Sequence, residues 1–209
     1  MYLFFSDACF SIVPAFLAFT ALVLSVVGNI WCETIVFHPT AAFPDLPTLN
    51  FGVWLQQKVS YAVVNGQIYV GDTCVDYYSS TDIDSKWKVT RAFAVIAPVF
   101  GIIAICLLFP SCRGDGGGTT SKIGGVVLLL TSLFQGLTLL ILGSNACDAS
   151  NVILVYTSYE QVCSFGWGTK LNISACVLFF VAGALMMAGA KREGTSGGDS
   201  KPDEPEPES

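Results

Sequence analysis

Four long stretches without a charged residue dominate the chain, and the charged and polar residues lie between them. Each stretch holds about 20 residues, which as a helix crosses a hydrocarbon core of about 30 Å. The pattern predicts a membrane α-helical protein with a four-transmembrane-helix bundle in residues 1–190. The predicted spans are residues 8–32, 92–112, 123–143 and 171–190.

Composition agrees with burial in lipid. The chain is 53% hydrophobic and 12% charged, whereas about 25% of residues in a soluble domain are charged. The first stretch could also be read as a signal peptide, but it lacks a basic n-region and exceeds the usual apolar length of about 7–15 residues. We therefore expect it to remain as a helix, with the lipid bilayer as the first partner of the chain.

Orientation follows from the bases in short segments, which favour the cytoplasmic side. These bases are Arg113, Lys122, Lys191 and Arg192. They predict both termini in the cytoplasm, with residues 33–91 and 144–170 as outer loops. We expect a multi-pass protein of the plasma membrane. Residues 191–209 are acidic and have no aliphatic residue beyond the last span, which predicts a disordered cytoplasmic tail.

The first outer loop contains a pattern typical of a soluble protein. Residues 58–70 alternate between apolar and polar side chains around Asn65-Gly66, and Asn-Gly is the preferred pair for a two-residue hairpin turn. Further strand material is present in ETIVF at 33–37, FGVWL at 51–55 and NVILVYT at 151–157. Because two strands alone are marginally stable, we expect a small extracellular antiparallel sheet on the helix bundle.

Cysteines fall into two groups under this topology. Four lie on the outer side, where an oxidising compartment favours disulfides: Cys32, Cys74, Cys147 and Cys163. They allow three pairings; we favour one bridge in each loop, and the alternative is that some remain free thiols. Cys112 lies beside Arg113 at the cytoplasmic edge, so it is either a palmitoylation site or an unmodified small hydrophobic residue.

The layout and several residues resemble the claudins and their relatives, which include the epithelial membrane proteins, the peripheral myelin proteins and the γ subunits of calcium channels. The matching residues are Trp31, the triplet Gly52-Val53-Trp54, Cys74 and the pair Arg91-Ala92. The chain departs from the family in two places. Leu55-Gln56-Gln57 stands where the family has a cysteine after its Gly-Leu-Trp, and EPEPES is not a C-terminal motif that binds PDZ domains.

Two hypotheses about site residues follow. Trp31, Trp54 and Arg91 are expected to form a cluster that holds the sheet on the helices; the alternatives are interfacial tryptophans and an arginine that extends to the membrane surface. Asp72 and Asp76 flank Cys74 and, on a regular strand, would share its face. The resemblance places them near the charges that select ions in paracellular channels, whereas the simpler interpretation is a solvated strand edge.

Enzymatic functions are disfavoured by the residues. The single histidine, His38, has no paired acid or cysteine at a useful spacing, and no pattern predicts a cofactor or a metal site. A membrane thiol-disulfide oxidoreductase is a remote alternative, because such enzymes need a closely spaced redox pair and the chain has no Cys-x-x-Cys. Clustered bases typical of nucleic-acid binding are also missing from the sequence.

We therefore expect an interaction protein. Either it associates with itself as a barrier, adhesion or membrane-organising element, or it accompanies another membrane protein as an auxiliary subunit of a channel or receptor.

Overall fold

The structure is a computed structural model, and it describes residues 7–61, 68–77, 81, 83–112, 118–152 and 158–196. Four long helices form a bundle: α1 Asp7–Ile30, α2 Ser85–Cys112, α3 Gly118–Leu137 and α5 Trp167–Ser196. α1, α2 and α5 each contain a segment long and apolar enough to cross a membrane, and most of α3 belongs to a fourth such segment, which ends at Gly143. The prediction of four such helices is confirmed.

The helix boundaries differ from the predicted spans. α2 begins at Ser85 rather than at residue 92, and α5 runs from Trp167 to Ser196 rather than over 171–190. The first turns of α2 are thus part of the predicted outer loop, and residues 191–196 of the predicted disordered tail are helical. Lys191 and Arg192 lie near the end of α5, where positive charge stabilises a helix terminus.

The predicted third span is divided in two. A 3-10 helix, Thr138–Gly143, continues from the last residue of α3, and two short helices follow it, Asn145–Cys147 (3-10) and α4 Ala149–Val152. We refer to the end of the bundle where these segments lie, and where α1 ends and α2 begins, as the sheet end.

Small residues let the helices approach closely. A Cβ added at Gly125 would lie 3.2 Å from the carbonyl oxygen of Gly183, and one added at Gly183 would lie 3.0 Å from that of Gly125. α3 and α5 therefore touch backbone to backbone, as is typical of helices packed in lipid. The apolar core between the helices consists of Ala18, Ala21, Ala104, Leu108, Leu128, Ala175, Phe179, Ala182 and Met186.

A ring of hydrogen-bonded polar side chains crosses the bundle near the sheet end. Its four members, which we call the polar ring, are buried: Ser25, Asn29, Gln135 and Asn172. Ser25 Oγ donates to Gln135 Oε1 at 2.6 Å, and Gln135 Nε2 donates to Asn172 Oδ1 at 2.8 Å. Asn172 Nδ2 donates to Asn29 Oδ1 at 3.0 Å, and Asn29 Nδ2 reaches Ser25 Oγ at 3.5 Å.

The polar ring joins all four long helices. Its members come from α1, α3 and α5, and Asn29 Nδ2 also donates to the Ala94 carbonyl of α2 at 3.3 Å. Because an unpaired polar group is costly in an apolar interior, this network favours one mutual arrangement of the helices. Asn172 also begins a glycosylation acceptor pattern, Asn172-Ile173-Ser174; its burial in the bundle makes it unsuitable as a substrate.

A five-stranded antiparallel sheet lies at the sheet end, in the order β4-β3-β2-β1-β5. The strands are β1 Ile35–Phe37, β2 Leu49–Phe51, β3 Leu55–Tyr61, β4 Ile68–Asp76 and β5 Ser164–Phe165. β3 and β4 form the predicted hairpin, with Tyr61 opposite Ile68. Asn65-Gly66 lies outside the described residues.

The sheet contains strands from both predicted outer loops, which corrects the prediction of a sheet from the first loop. We expected it to come from the first loop, with a possible strand at 151–157 in the second. Asn151 and Val152 are instead helical, the rest of that segment lies outside the described residues, and the second loop contributes β5. Ile35 of β1 pairs with Phe51 on one side and Phe165 on the other. The two loops therefore form one sheet.

The polar ring generates a stability prediction. Gln135→Leu should lower the free energy of unfolding by about 1–3 kcal/mol, because Ser25 and Asn172 each lose a buried hydrogen-bond partner. Leu133→Ala is a suitable control, since Leu133 is an exposed residue of the same helix. The measurement is the temperature at which the protein in detergent loses its monodisperse elution peak. Equal temperatures for the two variants would contradict a stabilising role of the ring.

Candidate functional site at the base of the sheet

The start of α2 is fixed by Asp84, which caps the helix. Asp84 Oδ1 accepts from the backbone N–H of Trp87 at 2.8 Å, the geometry of an N-terminal cap. Its other carboxylate oxygen accepts from the backbone N–H of Asn145 at 3.2 Å. Lys86 Nζ, in the first turn, donates to the Gly143 carbonyl at 2.8 Å. The beginning of α2 is thereby tied to the second loop.

Trp87 and Arg91 lie four residues apart on α2 and therefore share one face of the helix. Trp87 is fully buried. Both side chains donate to the same acceptor, the Val53 carbonyl: Trp87 Nε1 at 3.2 Å and Arg91 Nε at 3.0 Å. A carbonyl oxygen has two lone pairs, so one backbone group of the first loop binds two side chains of α2.

Three aromatic rings surround the guanidinium group of Arg91. Its Cζ lies 5.3 Å from the Trp54 ring centroid, 5.6 Å from that of Tyr77 and 5.3 Å from that of Trp87. Each distance falls within the range of cation–π attraction, about 6 Å. We call Arg91, Trp54, Tyr77, Trp87 and the Val53 carbonyl the arginine site. It joins the first turns of α2 to the sheet.

Tyr77 extends the arginine site into the sheet. Its hydroxyl donates to the Gly52 carbonyl at 2.6 Å, and its ring contacts Trp87 edge-on at a centroid distance of 4.8 Å. On its other side it stacks on Phe51 at 6.4 Å. Burial raises the pKa of Tyr77 above its ordinary value, and the nearby Arg91 charge only partly offsets this shift. The phenol therefore stays protonated and keeps its hydrogen bond.

Gly52 is required by the close approach of two chain segments. A Cβ at this position would lie 2.5 Å from the Trp31 carbonyl oxygen and 2.8 Å from Cys32 Cα, distances that no side chain tolerates without a backbone shift. The absence of a side chain lets the loop pass directly over the end of α1. This accounts for the first residue of the triplet Gly52-Val53-Trp54.

Trp31 does not belong to the arginine site, which corrects the expected cluster. Its side chain is 52% exposed at the end of α1, whereas the neighbouring Cys32 is buried and bonded to Cys74. The inward position is thus taken by the cysteine. Trp87 and Tyr77, which the sequence analysis did not single out, complete the site with Trp54 and Arg91. The spacing of Trp87 and Arg91 was the one signal that could have identified Trp87.

Two disulfides reinforce the outer segments. Cys32 is bonded to Cys74, with a Cα–Cα distance of 6.0 Å, and Cys147 is bonded to Cys163, with a Cα–Cα distance of 5.0 Å. These are the pairings that we favour from the sequence. The first ties the end of α1 to β4, and the second closes the second loop before β5. Cross-links over such loops typically contribute about 2–4 kcal/mol to stability.

Asp72 and Asp76, the candidates for ion-selective charges, both belong to β4. Asp76 is exposed near the end of β4, opposite Leu55. Asp72 lies in β4, but its side chain is outside the described part. Between the pairs Gln57–Cys74 and Val59–Val70, β4 contains extra residues relative to β3. The strict alternation that would place residues 72, 74 and 76 on one face is therefore interrupted at Asp72.

Cys112 and His38 are the two remaining residues considered in the sequence. Cys112 is the last residue of α2, and its side chain also lies outside the described part. His38 is exposed, and its Nε2 contacts Ser164 Oγ at 2.9 Å. Within the described ranges, no group of three or more His, Cys, Asp or Glu side chains could hold a metal ion.

Comparison with known protein families finds no matching family, and no curated protein matches the chain. The resemblance to the claudins therefore remains a prediction from the residues quoted above.

The arginine site generates a prediction about stability. Trp87→Ala should lower the free energy of unfolding by about 3–5 kcal/mol, the usual cost of removing a buried large aromatic. Trp31→Ala deletes the same side chain from an exposed position and serves as the matched control, with a much smaller loss. Arg91→Lys should also destabilise, because an ammonium group lacks the planar guanidinium that stacks on the rings.

Thermal unfolding in detergent and the fraction of each variant at the cell surface are the two measurements. If Trp31→Ala and Trp87→Ala were equally impaired in both, the assignment of Trp87 rather than Trp31 to the site would be refuted.

Proposed function

We propose that the chain is a non-enzymatic, claudin-like protein of the plasma membrane that uses its sheet as an extracellular interaction surface. It associates with copies of itself at cell contacts and acts as a barrier or membrane-organising element. The observation that carries the proposal is the attachment of one sheet, built from both loops, to one end of a bundle of membrane-length helices. The arginine site and the Cys32–Cys74 bridge make that attachment rigid.

The bases support the proposed orientation. α2 leads away from the sheet end, so its last residue, Cys112, and the first residue of α3, Gly118, lie at the opposite end of the bundle. Arg113 follows Cys112 in the sequence, Lys122 lies in the first turns of α3, and Lys191 and Arg192 follow the apolar part of α5. Cytoplasmic segments of membrane proteins carry such bases, which supports an extracellular position for the sheet.

Charge supports a surface that attracts cations. Residues 33–91 hold six acids and four bases, and residues 144–170 hold two acids and one base. Asp45, Asp76, Asp148 and Glu160 are exposed. When such surfaces face each other across a narrow space, their combined field raises the local cation concentration, and salt screens this field over about 8 Å at physiological strength.

The orientation is tested by labelling single introduced cysteines with an impermeant maleimide on intact cells. Gly66→Cys should react, because residue 66 belongs to the proposed outer hairpin. Gly118→Cys and Gly197→Cys should react only after the cells are permeabilised. All three replace glycine, so the variants are matched. Labelling of Gly197→Cys on intact cells would reverse the orientation.

The function is tested in a tight epithelial monolayer. Expression should raise the permeability of sodium relative to chloride, and the double variant Asp72→Asn, Asp76→Asn should abolish that preference, because it removes two carboxylates from β4. Asp45→Asn removes an exposed charge from the segment between β1 and β2 of the same loop and should leave most of the preference intact. The measurement is the dilution potential across the monolayer.

An unchanged permeability ratio, with the protein present at cell contacts, would count against a paracellular role. Purification in mild detergent then separates the remaining possibilities. A ladder of self-associated species favours assembly without ion selectivity, whereas a stoichiometric large partner favours an auxiliary subunit.

A further inference from the structure

Three exposed aromatic side chains are carried by two touching chain segments at the sheet end. Trp31, Phe165 and Trp167 are 52%, 58% and 64% exposed, and we call them the interfacial patch. The residue between the last two, Gly166, lies against Glu33 and Thr34, since a Cβ there would meet the Glu33 carbonyl. The end of α1 and the start of α5, with the residues next to them, therefore lie against each other at the sheet end.

The interfacial patch lies next to exposed apolar residues of the helices along the chain. Ile30 on α1 and Ile173 on α5 are exposed, and both lie within the segments long and apolar enough to cross a membrane. Trp167 is the first residue of its segment. The patch thus begins where the apolar stretches end.

A lysine beside the patch suits the phosphate groups of a membrane surface. Lys170 is exposed, and its Nζ lies 5.3 Å from the Trp167 ring centroid. An aromatic ring with one apolar and one polar side is favoured where acyl chains meet headgroups. A lysine beside it can extend its ammonium group towards lipid phosphates while its stem remains in the apolar layer.

We propose that the interfacial patch is inserted into the phospholipid headgroup layer of the leaflet on the sheet side, so that the β5 edge of the sheet lies in the membrane surface. This inference requires the bundle to span a membrane, as in the proposed function, but it does not require assembly or ion selectivity. It names lipid, rather than a second copy of the chain, as the occupant of this surface.

The opposite end of β1 provides a matched control. Phe43 is an exposed phenylalanine, at 49%, in the turn after Thr40. Phe165 pairs with Ile35 at the start of β1, and antiparallel contacts continue as far as Thr40 and Ser158. At about 3.3 Å per residue, Thr40 lies about 16 Å further along the strand than Ile35. Phe43 is therefore expected above the headgroup layer.

The test uses a fluorescent thiol label at Phe165→Cys, Phe43→Cys or Ile102→Cys, one at a time. Cys9, Cys106, Cys112 and Cys176 are replaced by Ala, and the four disulfide cysteines are kept. The full chain is reconstituted in nanodiscs of zwitterionic phospholipid with nitroxide groups either near the headgroup or at the acyl-chain end. Soluble iodide is the aqueous quencher, and Ile102, which is exposed in the middle of α2, reports on the lipid core.

Strong quenching at residue 165 by the headgroup-proximal nitroxide, with little quenching by iodide, is the expected result. Residue 43 should show the reverse, and residue 102 should respond to the nitroxide at the chain end. Quenching of residue 165 by iodide alone, with residue 102 still quenched from the chain end, would overturn the inference and leave the membrane-spanning bundle intact.

Two other results would also overturn the inference. Residue 165 could be protected from both quenchers and lose that protection when each nanodisc holds a single copy. This result would assign the patch to an interface between copies. Loss of lipid quenching at residue 102 would refute the membrane-spanning bundle itself.

Discussion

The attachment of the sheet to the helices depends on the hydrogen bonds to the Val53 carbonyl. Trp87 and Arg91 both donate to this oxygen, and the neighbouring Gly52 lies so close to the end of α1 that a Cβ there would meet the Trp31 carbonyl oxygen. A loop, a helix and the terminus of another helix therefore meet at a single peptide group. The aromatic rings around Arg91 add cation–π attraction to these bonds.

The four long helices are long and apolar enough to cross a membrane, and helices in lipid gain little from burying apolar side chains against one another. The close backbone approach at Gly125 and Gly183 allows van der Waals contact between α3 and α5. The hydrogen bonds of the polar ring favour one mutual arrangement of the helices. The ring lies close to the sheet end, so the most strongly specified layer of the bundle is the one on which the sheet rests. An error in helix arrangement there would also displace the arginine site.

Much of this architecture could be predicted from the sequence. The elements that could not be predicted were hidden for physical reasons. The helices follow from uncharged length, and β3 and β4 follow from alternation around Asn65-Gly66. The early start of α2 was hidden because Lys86, Lys88 and Arg91 make its first turns look like a polar loop. Its start depends on Asp84, whose capping bond is a local signal that a search for uncharged windows does not include.

The candidate site was predicted in part for a similar reason. The resemblance to the claudins pointed to Trp54 and Arg91, whereas Tyr77 and Trp87 are brought to them by folding. β5 has two residues, too few for any periodicity, and is a strand only because β1 offers it a partner. The polar ring likewise joins side chains that are separated by as many as 143 residues.

The position of β5 has a consequence for how the protein is made. β1 emerges from the ribosome directly after the first helix, but its partner Ser164 follows 128 residues later, just before the last helix. Until then one edge of β1 lacks its partner strand, and unpaired edges recruit other chains. Synthesis of the final helix therefore completes both the bundle and the sheet, and a truncated chain would remain a substrate for chaperones and quality control.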